Sequence, residues 1–83
     1  MLNKNTHKRV WWVIDQLAAR RKISVSAMAR MANLHPTAFN PGKRIAPNGK
    51  LRFPNLSSML CVFICHDVTF EEWTKLWNQW GKK

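Results

Sequence analysis

Three prolines and two glycines fall between Pro41 and Pro54, and this cluster limits every fold open to the chain. Proline withdraws a backbone donor and glycine costs order inside a helix, so no long regular element crosses Pro41, Gly42, Pro47, Gly49 and Pro54. The chain must therefore build short helices on either side of this stretch and bring them together. On both sides apolar residues recur at the three–four spacing of an amphipathic helix. The expectation is an all-α domain with five helices. Its 83 residues suffice for one core and no more, and 46% apolar residues with five Trp and four Phe supply the large side chains that a small core needs.

From His7, the positions Val10, Val13, Ile14, Leu17 and Ala18 predict a first helix over His7–Arg21, with residues 1–6 frayed. Arg20, Arg21 and Lys22 stand where cations meet the negative end of the helix dipole. Ser24 is placed to cap a short second helix, Val25–Ala32, whose inward stripe is Val25, Met28, Ala29 and Ala32. Asn33 suits the left-handed conformation of a helix end. Pro36 then occupies the first position of a third helix that Pro41 and Gly42 stop within two turns.

Residues 43–54 have the composition of a turn or irregular hairpin, and a loop of that length in a compact domain is often functional. Asn55 or Ser57 caps a fourth helix reaching Cys65. It is apolar on almost every face, which predicts the most buried helix of the five. Thr69 stands three residues before Glu72 in the capping-box arrangement, with Val68 as a hydrophobic staple, and opens a fifth helix over Phe70–Trp80. Gly81, Lys82 and Lys83 read as a frayed tail.

Net charge is +10, and residues 1–52 hold Lys4, Lys8, Arg9, Arg20, Arg21, Lys22, Arg30, Lys43, Arg44, Lys50 and Arg52 against Asp15 alone. A positive field of that strength attracts phosphate polyanions, which makes nucleic acid the first partner to consider and an anionic membrane surface the second. No continuous apolar run is long enough to span a membrane, and no signal peptide is present, so the expected location is the cytoplasm. Cys61 and Cys65, four apart on a helix, read as two buried thiols in a reducing compartment.

Function is expected where two short helices are joined by a tight turn and followed by a basic loop. Ala29 allows close approach, Asn33 makes the turn, and Leu34 and Phe39 anchor the third helix, which leaves Pro36, Thr37 and Asn40 outward. A helix held in this way presents its first residues to base edges in the major groove.

The run Ser24-Val-Ser-Ala-Met-Ala-Arg-Met-Ala-Asn-Leu-His-Pro-Thr-Ala-Phe-Asn-Pro-Gly-Lys-Arg44 resembles the helix-turn-helix segment of λ-repressor-like regulators. Within them it is most similar to the LexA-like phage-type repressors of alphaproteobacteria, with their L-D-P-T-x-F-N-x-x-K-R signature. A looser similarity extends over about residues 8–77, through Arg52-Phe-Pro54 and Thr69-Phe-Glu-Glu-Trp73. The resemblance implies a single λ-repressor-like DNA-binding domain acting as a phage-related transcription regulator in the bacterial cytosol, nucleoid-associated, as a homodimer on double-stranded DNA. It implies base contacts from His35, Pro36, Thr37 and Asn40, and backbone contacts from Ser24, Ser26, Lys43 and Arg44. Lys50 and Arg52 of the loop join the backbone set through their charge. Two departures stand out: the family's turn glycine is Asn33 here, and its Asp or Ser cap is His35. The self-cleaving Ser-Lys peptidase domain that follows in many relatives has no room in these 83 residues.

Other readings are weaker. Cys61-Val-Phe-Ile-Cys65-His66 has three residues between its cysteines where haem attachment needs two, and zinc would need further ligands, so neither metal nor cofactor is expected. His7 and His35 lack a neighbouring nucleophile or carboxylate, and with four acidic residues in all the chain is not expected to be an enzyme. Trp73 and Leu76 suit the core, while Trp77 and Trp80, with Trp12, suggest a dimer or partner interface. The alternative function is accordingly an adaptor or co-regulator acting through the Trp-rich C-terminal helix. A basic membrane-surface protein is a third reading, weakened because cations and indoles fall on separate helices.

Overall fold

A computed structural model describes residues 2–81. Among them are four α-helices: α1 (Lys4–Arg20), α2 (Val25–Met31), α3 (Leu56–Cys65) and α4 (Phe70–Gln79), with a single 3-10 turn, Pro41–Lys43, between α2 and α3. The class is all-helical, as expected, but there are four helices and not five. The frayed tail expected at Lys82 and Lys83 lies outside the described residues, and the N-terminal end is more ordered than expected. Asn3 accepts the Thr6 N–H through its side chain and starts α1 three residues before His7.

α1 is the centre of the molecule, with α2 and α4 packed on it and α3 packed on α2. Val13, Ile14, Leu17 and Ala18 of α1 meet Met28 and Ala29 of α2, Phe39, Val62 of α3, Val68 and Leu76 of α4 in one core. Val13, Leu17, Met28 and Phe39 are the largest side chains with essentially no exposure. α2 and α4 begin at the caps the sequence marks, Ser24 and Thr69, and α3 at Asn55, one of the two candidates; each accepts the N–H three positions on.

Three helices end by one device. Lys22, Asn33 and Asp67 take left-handed backbone angles (φ 57°, 63° and 54°), and the next residue turns back to the helix. Ile23 donates to Ala18, Leu34 to Ala29 and Val68 to Phe63, the six-to-one bond of a Schellman cap. In each case the residue after the turn is apolar and packs into or against the core. Of the three, Asn33 and Asp67 are residue types that visit this conformation readily, whereas Lys22 is not.

Two expectations fail on burial. α3 is not the most buried helix: Val62 is its only buried residue, against six in α1. A helix this short, packed on α2 and touching α4 through Phe63, can hide one narrow stripe, and an apolar sequence on every face does not change that. Cys61 and Cys65 are consequently exposed and unbridged. Glu72 also departs from the capping box. Its carboxylate is taken by Arg21, at 2.8 and 3.0 Å, and by Arg20 at 3.1 Å. Arg21 further donates to the Leu17 and His66 carbonyls, so one guanidinium ties the ends of α1 and α3 to the start of α4.

Candidate nucleic-acid interface

Between α2 and the 3-10 turn the chain does not form the helix expected from Pro36. Ala38 donates to His35 and Asn40 to Thr37, both three residues back, and no α-helical bond forms. Pro41 explains this. It has no N–H to extend a ladder, and it holds the preceding Asn40 extended (ψ 145°). A helix confined to residues 36–40 would have one N–H far enough along to bond back four residues, too little to offset nucleation. What remains is a compact double turn. His35 begins it in the manner of a cap, its Nδ1 accepting the Thr37 N–H at 3.2 Å and facing the Thr37 hydroxyl at 2.8 Å. Phe39 pins the turn to the core and meets Trp11 edge-on, with ring centres 6.3 Å apart.

The loop that follows is a narrow hairpin. Ile45 and Leu51 pair as an isolated antiparallel bridge, and Ala46 accepts from Gly49 across a turn in which Gly49 is left-handed (φ 85°). A row of three residues on α1, spaced four apart, fastens this hairpin. His7 Nε2 donates to the Arg44 carbonyl at 2.8 Å, Trp11 Nε1 donates to the Arg52 carbonyl at 2.9 Å, and Asp15 receives the Arg44 guanidinium at 2.7 and 3.0 Å. His7 is buried, edge-on to Phe53 at 5.3 Å. None of the three was assigned a role from sequence. The signal was present: hydrogen-bonding side chains at four-residue intervals, beside the apolar stripe, mark a helix face that holds polar backbone.

These contacts shape a cleft of about 450 Å³ between the His35–Phe39 turn and the beginning of α3. Of the residues singled out from sequence, His35, Thr37, Lys43 and Arg52 line it together. Asn55 and Ser58, not singled out for binding, lie on its α3 side. Pro36 is exposed on the same turn and Asn40 is half-buried at its end, its carbonyl accepting from the Lys43 N–H. Ser24 is exposed at the start of α2, its hydroxyl occupied as the cap, while Ser26 is half-buried and Lys50 exposed.

Arg44 has a different place. Its guanidinium is engaged by Asp15, donates twice to the Phe39 carbonyl and lies 4.6 Å over the Trp11 ring. Only 13% of its side chain is exposed, and with these contacts it supports the turn. Arg9 is similarly engaged: it donates to the Trp77 carbonyl and lies 4.2 Å over the Trp77 ring. Trp77 stacks on Trp73 and is half-buried. Trp12 and Trp80 come together in a second, more apolar groove of about 420 Å³ with His7, Lys8, Pro41 and Ile45. Trp77 is not among the residues lining that groove.

Among the described residues, no three His, Cys, Asp or Glu side chains gather to hold a metal ion, and no helix is long and apolar enough to cross a membrane. In comparisons with known families, curated proteins and solved structures, the chain matches none.

Proposed function

We propose that the protein binds double-stranded DNA sequence-specifically and acts, without catalysis, as a transcriptional regulator of the phage-repressor kind in the bacterial cytosol. The observation that carries this reading is the convergence of His35, Thr37, Lys43 and Arg52 on one cleft. Polar side chains that can read base edges stand there beside cations that can hold phosphate. The reading element is the His35–Asn40 turn, made rigid by Phe39 and Arg44, where a recognition helix was expected. His35, Pro36, Thr37 and Asn40 take the base edges. Lys43, Lys50, Arg52, Ser24 and Ser26 face the phosphates, and two copies of the chain meet a two-fold site.

The test is a titration against a random-duplex pool over a range of salt concentrations. The reading requires one enriched motif, relaxed by Thr37→Ala, and a salt slope reduced by about one unit in each of Lys43→Ala and Arg52→Ala. Unselective binding abolished by moderate salt and unchanged by Thr37→Ala would refute it.

A second reading is an adaptor role through the Trp-bearing end of the molecule. It is favoured by the groove that unites Trp12, Trp80 and the half-exposed Ile45. Binding of a protein partner that is insensitive to salt and lost in Ile45→Glu, with no affinity for duplex DNA, would select it over the first.

A further inference from the structure

α3 presents an apolar row that none of the described residues covers. Leu56, Leu60 and Ile64 are spaced four apart, and they are 74%, 46% and 78% exposed. Four-residue spacing places them on one line along the helix, about 12 Å from first to last. Met31 and Phe70, also exposed, are brought beside the C-terminal half of α3: Cys65 Sγ reaches the Met31 carbonyl at 3.1 Å, and Phe63 meets the Phe70 ring at 6.0 Å. Five of the seven large apolar side chains left exposed among the described residues thus border one short helix. Together they expose on the order of several hundred Å², the size at which a patch on a small protein marks an interface, and the greater part of the roughly 800 Å² per partner that a stable complex buries.

We infer that this face is the surface on which two copies of the chain associate, α3 against α3. Charge selects the occupant. Residues 53–66 contain no Asp, Glu, Lys or Arg, although the chain as a whole carries +10. An acidic partner is drawn to the exposed cations, not to the uncharged row. What fits the row is a surface equally free of charge, and a second α3 is one. Pairing there also keeps two strongly cationic molecules in contact at the place where neither carries charge.

The helices run antiparallel. Lys43 and Arg52 share the cleft at the beginning of α3 with Asn55 and Ser58, so a parallel pair sets two cationic clusters side by side. The antiparallel arrangement sends them to opposite ends of the interface. Leu60, in the middle of the row, then meets its own counterpart across a two-fold axis, and Leu56 meets Ile64. This is a different surface from the Trp12 and Trp80 groove, and it stands whether or not the chain binds DNA.

Sedimentation equilibrium over a concentration series, without nucleic acid, tests the inference. Leu56→Glu and Ile64→Lys place charges that suit the respective ends of α3, and circular dichroism confirms that each variant is folded. Wild type is expected to form a reversible dimer. Each variant should raise its Kd at least about tenfold, while Ile45→Glu in the Trp groove leaves it unchanged. Amide chemical shifts of the wild type on dilution give a readout that needs no variant, and the changes should centre on Leu56, Leu60 and Ile64. A chain that stays monomeric up to about 500 µM overturns the inference, as does a dimer that Ile45→Glu dissociates and Ile64→Lys does not. Concentration-dependent shifts clustered away from α3 would overturn it as well.

Discussion

Arg44 and Asp15, 29 residues apart, form a two-pronged ion pair in which the same guanidinium also holds the carbonyl of Phe39. The only acid among the first 52 residues is thereby spent on fixing the turn that carries His35 and Thr37, and not on lowering the surface charge. Arg44→Ala is expected to cost about 2–3 kcal/mol, since it strands the Phe39 carbonyl and removes the contact with the Trp11 ring. Lys43→Ala, at an exposed position, should stay within about 0.5 kcal/mol. Thermal melts separate the two. In DNA titrations the order reverses: Lys43→Ala lowers the salt slope, whereas Arg44→Ala weakens binding at an unchanged slope. Equal stability of both variants would remove Arg44 from its supporting place.

Glu72 predicts an acid-sensitive step in stability. The hydrogen bonds from Arg21 hold its carboxyl below the usual range, helped by the charges of Arg21 and Arg20 and opposed by burial. A group whose folded value is depressed contributes its full stabilisation above the unfolded value, about 4.3 for Glu, and loses it as the pH falls through the lower folded value. Glu72→Gln should therefore cost about 1–2 kcal/mol at neutral pH, and the gap to wild type should close below about pH 4. Denaturant melts across that range check the sign. A gap that persists in acid would mean that the ion pair is not its source.

Lys22 offers a substitution in the stabilising direction. It sits at φ 57° after α1, exposed, in a conformation that costs a non-glycine residue about 1–2 kcal/mol. Lys22→Gly removes that strain at some cost in unfolded-state entropy, so a gain of about 0.5–1 kcal/mol is expected. A destabilised variant would show that the Lys22 side chain contributes more than its backbone loses.

Local signals were legible in the sequence where a single residue decides a local bond. The caps Ser24, Asn55 and Thr69 and the left-handed Asn33 all belong to this class. What was not legible depends on residues far apart in the chain. Arg44 reads as one more surface cation until Asp15 and Trp11 are seen to surround it. Cys61, Leu60 and Ile64 read as core because hydropathy records what a side chain would tolerate and not whether a neighbour exists to cover it. The third helix was overestimated for a nearer reason. Pro36 suits a helix start, but Pro41 leaves too few donors for a helix to follow.

The segment after that turn tests whether it is a rigid element or a helix held back by its sequence. Gly42 lies within the Pro41–Lys43 turn, and a Cβ added there meets nothing within 4 Å. If the turn is the stable form, Gly42→Ala reduces the freedom of the unfolded chain without native strain and should gain about 0.4–1 kcal/mol. Pro41→Ala restores unfolded-state freedom and should lose a similar amount. A latent helix reverses the second sign, because Pro41→Ala would release Asn40 from its extended backbone and supply the missing donor. Thermal melts of the two variants, with Cα chemical shifts over residues 36–43, distinguish these cases. Opposite signs with unchanged shifts support a preformed turn as the form of the element proposed to meet DNA. Stabilisation by Pro41→Ala with helical shifts running through Asn40 would return the recognition helix to the chain.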